Sequence, residues 1–332
     1  MHLLKRILFP LSILYGFVVY LRNRFYDFGL LRSVKPALPT VVVGNLSFGG
    51  TGKTPMILWL LHHVFDPEKV AVLSRGYGRN SNGFKWVASE SDAIEVGDEP
   101  LQIKKEFPST VVAVCENRAE GITEITKQFQ PEVIILDDAF QHRKIRASRY
   151  ILLSTYTNPF YNDCHFPAGS LRDHRSEASR ADLVILTKCS PSMEAEEAEA
   201  IRKRVSEFTA APVYFAALRY FEFTPAERLA FSQSTPVLVT GIANPEPLLD
   251  FLNSQNIPFE HIRFKDHMKY TAQEVTQISR YSHLITTEKD YVKLQPLLLN
   301  SSVQVHIVKV THSILFDQSR VLKEQLLTHT SY

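Results

Sequence analysis

A glycine-rich segment that follows an apolar run is the first part of the sequence whose residues could do chemistry. It reads GNLSFGGTGKT over 44–54 and ends in Lys53 and Thr54. In a phosphate-binding loop, backbone N–H groups hold phosphate oxygens, the lysine reaches the outer phosphates and the hydroxyl ligates Mg²⁺. The strict pattern has glycine at position 47, where this chain has serine, so the match is a variant, and an incidental glycine turn is the alternative. The predicted nucleotide-binding residues are Ser47, Phe48, Gly49, Gly50, Thr51, Gly52, Lys53 and Thr54.

A pair of adjacent acids supplies the second candidate group. Asp137 and Asp138 follow the apolar run Val133 to Leu136. Because neighbouring residues of a strand point to opposite sides, one acid is expected to face a metal while the other orients a loop or a second ion. Together with Thr54 they form a set of hydroxyl and carboxylate oxygens, which favours Mg²⁺ over a transition metal. The alternative is a helix cap or a turn.

Two further segments carry charged groups suited to phosphate chemistry. Asp98 and Glu99 stand in VGDEP at an expected helix start, where acids are often only caps for the helix dipole. Arg75 and Arg79 flank Gly76-Tyr77-Gly78 after a strand, and guanidinium groups suit bidentate phosphate recognition. Ordinary surface salt bridges are the alternative for these arginines.

The elements that must position these residues alternate between strand and helix. From Pro39 onward, apolar runs at 40–43, 70–73, 110–114, 133–136, 150–153 and 183–186 are separated by helical patterns. Further strands are expected at 213–217, directly after 235, at 283–286 and near 303–308. This order predicts an α/β fold of the P-loop NTPase type, with a mostly parallel sheet and helices on both faces. We expect three parts: a helix and linker over 1–35, a nucleotide-binding core over 36–220, and a smaller α/β block over 221–332. Residues 221–233 are expected to be a connector.

The N-terminal segment is apolar between basic flanks. About 15 uncharged residues separate Arg6 from Arg22, fewer than the ~20 that a spanning helix needs. Apolar side chains recur at helical spacing from Pro10 to Phe25, which predicts an amphipathic membrane-anchor helix. A first helix packed on the protein's own core and an uncleaved membrane span remain as alternatives.

The composition excludes several classes of protein. The chain of 332 residues has 37 lysines and arginines and 35 aspartates and glutamates, so its net charge is 37 − 35 = +2. It therefore lacks the broad basic face that duplex nucleic acid requires. The three cysteines, Cys115, Cys164 and Cys189, are too few and too far apart for a disulfide framework or a C-x-x-C site. With 45% hydrophobic and 22% charged residues, the chain is globular.

Seven distinctive segments follow one another along the chain: GNLSFGGTGKTP, LSRGYGR, VGDEP, LDDAFQHRKI, FPAGSLRD, ADLVILTK and TTEKDYVKL. In this order they resemble one bacterial family, the tetraacyldisaccharide 4'-kinases of lipid A biosynthesis. The resemblance implies an inner-membrane enzyme, peripheral or monotopic on the cytoplasmic face, with ATP and Mg²⁺ as cofactors and no obligate protein partner. It would move the γ-phosphoryl group of ATP to the 4'-hydroxyl of a tetraacylated glucosamine disaccharide 1-phosphate. Ala139 departs from the family's usual glycine, and nothing depends on Met268 after the Asp266-His267 pair.

The same resemblance implies roles for individual residues. Asp98 would be the catalytic base, His267 would orient it or share its proton, and Lys53 would stabilise the transferred phosphates, while Glu99 would join Thr54, Asp137 and Asp138 near Mg²⁺. Lys289 and Asp290 would close the second block over the nucleotide. The candidates for holding the acceptor are Asn45, Arg75, Arg79, Arg118, Gln141, His142 and Arg172. A kinase or ligase acting on a soluble metabolite and a non-catalytic nucleotide switch are the rival functions.

Overall fold

A nine-stranded sheet forms the centre of the molecule. The computed structural model describes residues 2–328, with side chains from residue 7 onward. The strands in chain order are β1 Thr40–Asn45, β2 Val70–Ser74, β3 Lys85–Trp86, β4 Val111–Val114, β5 Val133–Asp137, β6 Arg149–Thr155, β7 Leu183–Thr187, β8 Val213–Tyr220, β9 Val237–Thr240, β10 Glu260–Arg263, β11 His283–Thr287, β12 Gln304–Val308 and β13 Val310–Ile314. The large sheet has the order β13-β8-β7-β6-β1-β5-β2-β4-β3, and only the edge strands β3 and β13 are antiparallel to their neighbours.

Helices cover both faces of this sheet. The helices of the large sheet and of the second block, in chain order, are α1 His2–Asp27, α2 Lys53–His63, α3 Ala93–Val96, α4 Asp98–Glu106, α5 Arg118–Phe129, α6 Ala195–Val205, α7 Pro225–Gln233, α8 Glu246–Ser254, α9 Ala272–Ile278, α10 Glu288–Leu294 and α11 Ser319–Thr328. Along β1, Val41 and Val43 belong to one buried cluster and Val42 to another. Because strand side chains alternate between faces, a continuous apolar run is what a strand buried on both faces requires. The predicted mixed α/β fold with a mostly parallel sheet is confirmed.

The second block is a four-stranded parallel sheet with the order β10-β9-β11-β12. The chain then returns to the large sheet, where β13 pairs antiparallel with β8. Leu322 and Leu326 of α11 lie in the same buried cluster as α2. Residues 310–328 therefore pack with the core, although the expected division placed the whole segment 221–332 in one block.

The structure corrects the interpretation of residues 221–233 as a connector, because α7 occupies Pro225–Gln233. Thr224 and Glu227 form a reciprocal capping box, and Pro225 stands in the first turn. This pattern of Thr, Pro and Glu is a helix-start signal that the sequence does contain. Strands β3, β10 and β13 were also not predicted, since β3 has two residues and β10 and β13 carry polar residues at strand positions.

Helix α1 packs small and polar residues, together with Val19, against the protein and exposes most of its apolar residues. Ser12, Gly16 and Asn23 are buried, whereas Leu11, Leu14, Val18, Leu21 and Phe25, the predicted apolar stripe, are all exposed. A Cβ atom on Gly16 would lie 2.8 Å from Nδ1 of His165, so glycine permits the close approach of the helix. Within residues 2–328, no helix is long and apolar enough to cross a membrane. The stripe is not packed on the protein's own core.

Candidate active site

The phosphate loop joins the end of β1 to the start of α2. Gly52 adopts a left-handed conformation with φ 82° immediately before Lys53, and Gly49 has φ 107°. Residues with a Cβ atom rarely adopt these angles, so glycine at both positions permits the tight turn. Ser47, in place of the first glycine of the strict pattern, forms a bridge with Leu171 instead. The loop therefore has the backbone shape of a phosphate site at the N-terminus of a helix.

Buried side chains from β1, β7 and β13 hold this loop. Asn45 donates from Nδ2 to Oγ1 of Thr51 at 2.8 Å, and the hydroxyl of Thr187 donates to the carbonyl of Thr51 at 2.8 Å. His312 of β13 lies with Nε2 3.1 Å from the carbonyl oxygen of Gly52. Burial lowers the pKa of His312 to about 4, so the ring is neutral and donates this hydrogen bond. Thr187 and His312 were not among the predicted site residues.

The first acid of the predicted pair, Asp137, ends β5, the strand beside β1. Ser74 donates a hydrogen bond of 2.8 Å to Oδ2 of Asp137, while Oδ1 is buried with no hydrogen-bond partner among residues 7–328. Burial, followed by the charges of Glu99 and Asp138, raises the pKa of Asp137 to about 7. A buried carboxylate oxygen without a donor, close to other acids, fits a hard divalent cation. The described residues contain no group of three or more His, Cys, Asp or Glu side chains arranged as a complete metal site.

The second acid, Asp138, binds cations of the protein. Its Oδ1 lies 3.6 Å from Nζ of Lys53, and both of its oxygens accept hydrogen bonds from Arg172. Burial raises the pKa of Asp138, but Lys53 and Arg172 outweigh that effect and lower it to about 2. Arg172 also donates to Oδ1 of Asn45 at 2.5 Å. Its guanidinium is thus engaged within the site.

Two other predicted arginines are buried in the protein. Arg79 pairs with Glu116 at 2.6 Å and donates to the carbonyl of Gly83, which fixes the loop after β2. Arg118 donates to the carbonyls of Cys115 and Asp137 at 2.5 and 3.0 Å and holds two strand ends together. Both guanidinium groups are engaged with partners inside the protein, and their role in holding the acceptor stays a prediction.

The remaining acceptor candidates lie along the rim of the same site. Arg75 is exposed, and its guanidinium makes no hydrogen bond or ion pair in the described part of the chain. Gln141 donates from Nε2 to the carbonyl of Asn45 at 2.8 Å. Burial, together with nearby cations that include Arg118 and Arg75, lowers the pKa of His142 to about 4. A neutral imidazole and a guanidinium unpaired within residues 7–328 could both bind a phosphate or a hydroxyl.

The structure brings Asp98 and His267 together across the two blocks. Asp98 begins α4 and is buried, and its Oδ2 lies 3.0 Å from Nδ1 of His267 in the loop after β10. Burial raises the pKa of Asp98, but the hydrogen bond from His267 and the charges of Lys289 and Lys293 outweigh it, so the pKa lies below its ordinary value. The hydrogen bond to Asp98 raises the pKa of His267.

Lys289 connects this pair to Glu99. Its Nζ lies 3.2 Å from Nε2 of His267, 2.9 Å from Oδ1 of Asp266 and 3.9 Å from Oε1 of Glu99. A lysine can donate only to an unprotonated ring nitrogen, so the contact assigns the proton of His267 to Nδ1. Asp290, the residue that follows Lys289, does not face the pair: it is fully buried and accepts a hydrogen bond from the N–H of Gly241. Tyr77, whose ring lies edge-on to His267 at 5.2 Å, was not predicted.

A parallel sheet with a glycine loop after β1, and an acid at the end of the neighbouring β5, defines a P-loop nucleotide-dependent enzyme. The chain belongs to the tetraacyldisaccharide-1-P 4'-kinase family, whose model matches residues 4–331. It is 38% identical to a tetraacyldisaccharide 4'-kinase of Flavobacterium johnsoniae over 98% of this chain and 99% of that protein. It is also 39% identical to a tetraacyldisaccharide 4'-kinase of Cytophaga hutchinsonii, over 96% of this chain and 94% of that protein. The fold is similar to the "apo" form of LpxK from Aquifex aeolicus in complex with ATP, with a TM-score of 0.77, 29% identity and coverage of 99% and 100%.

Proposed function

We propose that this chain transfers the γ-phosphoryl group of ATP to the 4'-hydroxyl of a tetraacylated glucosamine disaccharide 1-phosphate, a step of lipid A biosynthesis. The observation that carries the proposal is the family match over 4–331 in a chain that also has the phosphate loop. Its relatives are named as kinases of this type, and a solved relative is described with ATP. Residues 47–54 would hold the phosphates of ATP, with Lys53 placed to neutralise charge on the transferred group.

The oxygen groups beside the loop would hold Mg²⁺. Thr54 is buried in the first turn of α2, and Asp137 has a carboxylate oxygen with no donor in the described part of the chain. Glu99 lies close enough to raise the pKa of Asp137. When bound, Mg²⁺ would neutralise phosphate charge and orient the phosphate groups. Asp138, held by Lys53 and Arg172, would position the lysine, and the two acids would then divide the metal and the lysine between them.

Asp98 would accept the proton of the attacking hydroxyl. Its depressed pKa keeps it ionised, and His267 holds one carboxylate oxygen at 3.0 Å. Its other oxygen, Oδ1, accepts only the backbone N–H of Glu99 among the described residues. A carboxylate fixed in this way can orient a hydroxyl toward the phosphoryl group. Arg75, Gln141 and His142 at the rim, with Asn45 and Arg172 behind them, would hold the polar part of the acceptor.

The apolar face of α1 would bind the membrane surface at the cytoplasmic side of the inner membrane. Large contiguous apolar surfaces on soluble domains mark interaction sites, and the stripe from Leu11 to Phe25 continues into exposed Phe28 and Leu30. The polar face of the helix is tied to the catalytic core. Ser12 accepts a hydrogen bond from the N–H of Ala168, and Asn23 donates to Asp173 at 2.7 Å.

The proposed reaction is tested with purified protein, radiolabelled ATP, Mg²⁺ and the disaccharide 1-phosphate lipid. Labelled lipid phosphorylated at the 4' position is expected. Lys53→Ala should lower the rate by about 10²-fold or more, because it removes a cation from the transferred phosphates. Lys69→Ala is the matched control, since Lys69 is exposed and pairs with Glu132 away from the site. Label on a soluble metabolite but not on the lipid would favour the rival kinase, and normal turnover by Lys53→Ala would contradict the site.

A charge substitution tests the membrane contact without deleting the helix. Leu14→Glu together with Val18→Glu should move the protein from the membrane fraction toward the soluble fraction, because both side chains are exposed on the apolar face. A control double substitution of exposed residues elsewhere, Leu229→Glu with Leu299→Glu, should leave sedimentation unchanged. Complete sedimentation of the α1 variant with membranes would assign the contact to another surface.

A further inference from the structure

Three aromatic side chains form a continuous ridge from α1 to the phosphate loop. Tyr15 of α1 contacts Phe166 edge-on with ring centroids 6.2 Å apart, and Phe166 contacts Phe48 edge-on at 5.6 Å. Phe48 and Phe166 are each 50% exposed. Two half-exposed phenylalanine rings in contact beside a nucleotide loop lack the partner that apolar surface normally has. We call this pair, Phe48 and Phe166, the aromatic platform.

The backbone around the platform fixes it to the reacting groups. The N–H of Phe48 donates to the carbonyl of Ser170 at 2.7 Å, and the N–H of Phe166 donates to the carbonyl of Leu171 at 2.9 Å. The next residue, Arg172, binds Asp138, and its guanidinium lies 6.0 Å from the centroid of the Phe48 ring. The platform is therefore held by the same segment that holds the acid beside Lys53.

We propose that the aromatic platform binds the apolar face of the glucosamine ring that carries the accepting hydroxyl. This inference rests on the proposed function. A hexosamine ring has C–H groups on its faces and polar groups at its edge, so an aromatic surface covers the face while nearby polar side chains bind the edge. Phe48 and Phe166 are specificity-determining residues in this scheme, because they select a ring with an apolar face.

The surfaces beside the platform support the sugar as the occupant. On one side is α1, whose exposed apolar face suits acyl chains and whose Tyr15 contacts Phe166. The hydroxyl of Tyr15 donates a hydrogen bond of 3.0 Å to the carbonyl oxygen of Arg172, and Arg172 binds Asp138 beside Lys53. The sugar ring joins the acyl chains of the acceptor to its reacting hydroxyl, so a surface in contact with both α1 and the segment of Arg172 suits the sugar ring.

Phe166→Ala tests the platform in the wild-type reaction assay. The KM for the lipid acceptor is expected to rise roughly five- to tenfold, the usual worth of one aromatic contact, with a smaller change in kcat. Phe166→Tyr should restore the KM because it keeps the aromatic face. Phe48→Leu should raise the KM in the same direction while keeping an apolar side chain in the loop. Phe221→Ala, which removes a phenylalanine of similar exposure in the connection after β8, should not change the KM.

Two measurements decide between occupants. The rise in KM should persist with a disaccharide acceptor that carries short acyl chains, whereas its disappearance would assign the platform to acyl chains and overturn the proposal. A rise in the KM for ATP equal to the rise for the acceptor would assign it to the nucleotide and also overturn it. If the wild-type protein turns over the lipid and Phe166→Ala leaves the KM for the acceptor unchanged, the role of the platform is rejected while the proposed function stands. Absence of lipid turnover by wild type would instead reject the proposed function.

Discussion

In the part of the chain that the structure describes, two histidine–carboxylate pairs have the same length but lie in different settings. Nδ1 of His267 lies 3.0 Å from Asp98, and Nδ1 of His306 lies 3.0 Å from Glu227. The first pair joins the start of α4 to the loop after β10 in the second block, while the second pair lies within the smaller block between β12 and α7. Similar hydrogen bonds therefore occur at a candidate catalytic centre and away from it.

The surroundings of the two histidines separate their roles. His267 has φ 57°, lies outside regular structure and has a side chain 27% exposed, next to Lys289 and the rim of the nucleotide site. His306 is buried in β12, where Nε2 lies 3.2 Å from Nδ1 of His283 and the ring contacts Phe231 at 4.7 Å. The position beside Lys289 and Glu99, and not the histidine–carboxylate bond itself, makes the first pair suited to proton transfer.

The largest difference between the two pairs is expected when the carboxylate of each pair is removed. Asp98→Ala is expected to lower kcat by about 10²- to 10⁴-fold, because a positioned base is lost. Glu227→Gln should leave kcat near the wild-type value, since Glu227 contacts no residue of the site. Steady-state rates at saturating ATP and lipid check both. Equal losses in the two variants would remove the distinction between the pairs.

A double-mutant cycle sharpens the role of His267. If His267 acts through Asp98, the double variant Asp98→Ala with His267→Ala should be scarcely slower than the poorer single variant. The dissociation constant for ATP should change little, because the phosphate loop is intact. Multiplicative losses of rate in the double variant would show that the two residues act separately.

The pair within the smaller block should matter for stability. His306→Ala is expected to lower the free energy of unfolding by about 1–3 kcal/mol, because it leaves polar groups of Glu227 and His283 without their partner. Urea denaturation measures this value. Gln304→Ala is the control, since Gln304 is exposed on the same strand. A loss no larger than in the control would mean that water replaces the partner at no cost.

The smallest expected effect is a loss of stability as the pH is lowered. Burial, followed by the charge of His306, lowers the pKa of His283, so the unfolded chain binds a proton near its ordinary pKa of 6.5 before the folded chain does. Burial raises the pKa of Glu227, but the hydrogen bond from His306 outweighs it, so the pKa is lowered. The contribution of His283 to the free energy of unfolding should therefore fall as the pH drops below about 6.5. The contribution of Glu227 should fall only as the pH drops below its ordinary pKa of about 4.5. The fall in urea midpoint from pH 7.5 to 5.5 should be smaller in His283→Asn.

The sequence predicts the neighbourhood of the phosphate loop and Asp137 because parallel strands end at the same edge of a sheet. It also places Asp98 with His267 through the family resemblance. It does not predict that Arg79 and Arg118 are buried, since their partners Glu116 and the carbonyl of Asp137 come together only in the folded chain. The contact of His312 with Gly52 could not be predicted from local sequence patterns either, because 260 residues separate the two.

The return of β13 to the large sheet sets an order of events during synthesis. His312, which holds the carbonyl of Gly52, and the core residues Leu322 and Leu326 are all translated after the entire second block. A nascent chain that has emerged only as far as β12 thus has the glycine loop but neither its histidine contact nor the last helix over that face of the sheet. Domains of multidomain chains generally fold as units from the N-terminus during translation. Here the nucleotide site is completed by residues near the other terminus, so tight ATP binding should be acquired late in translation.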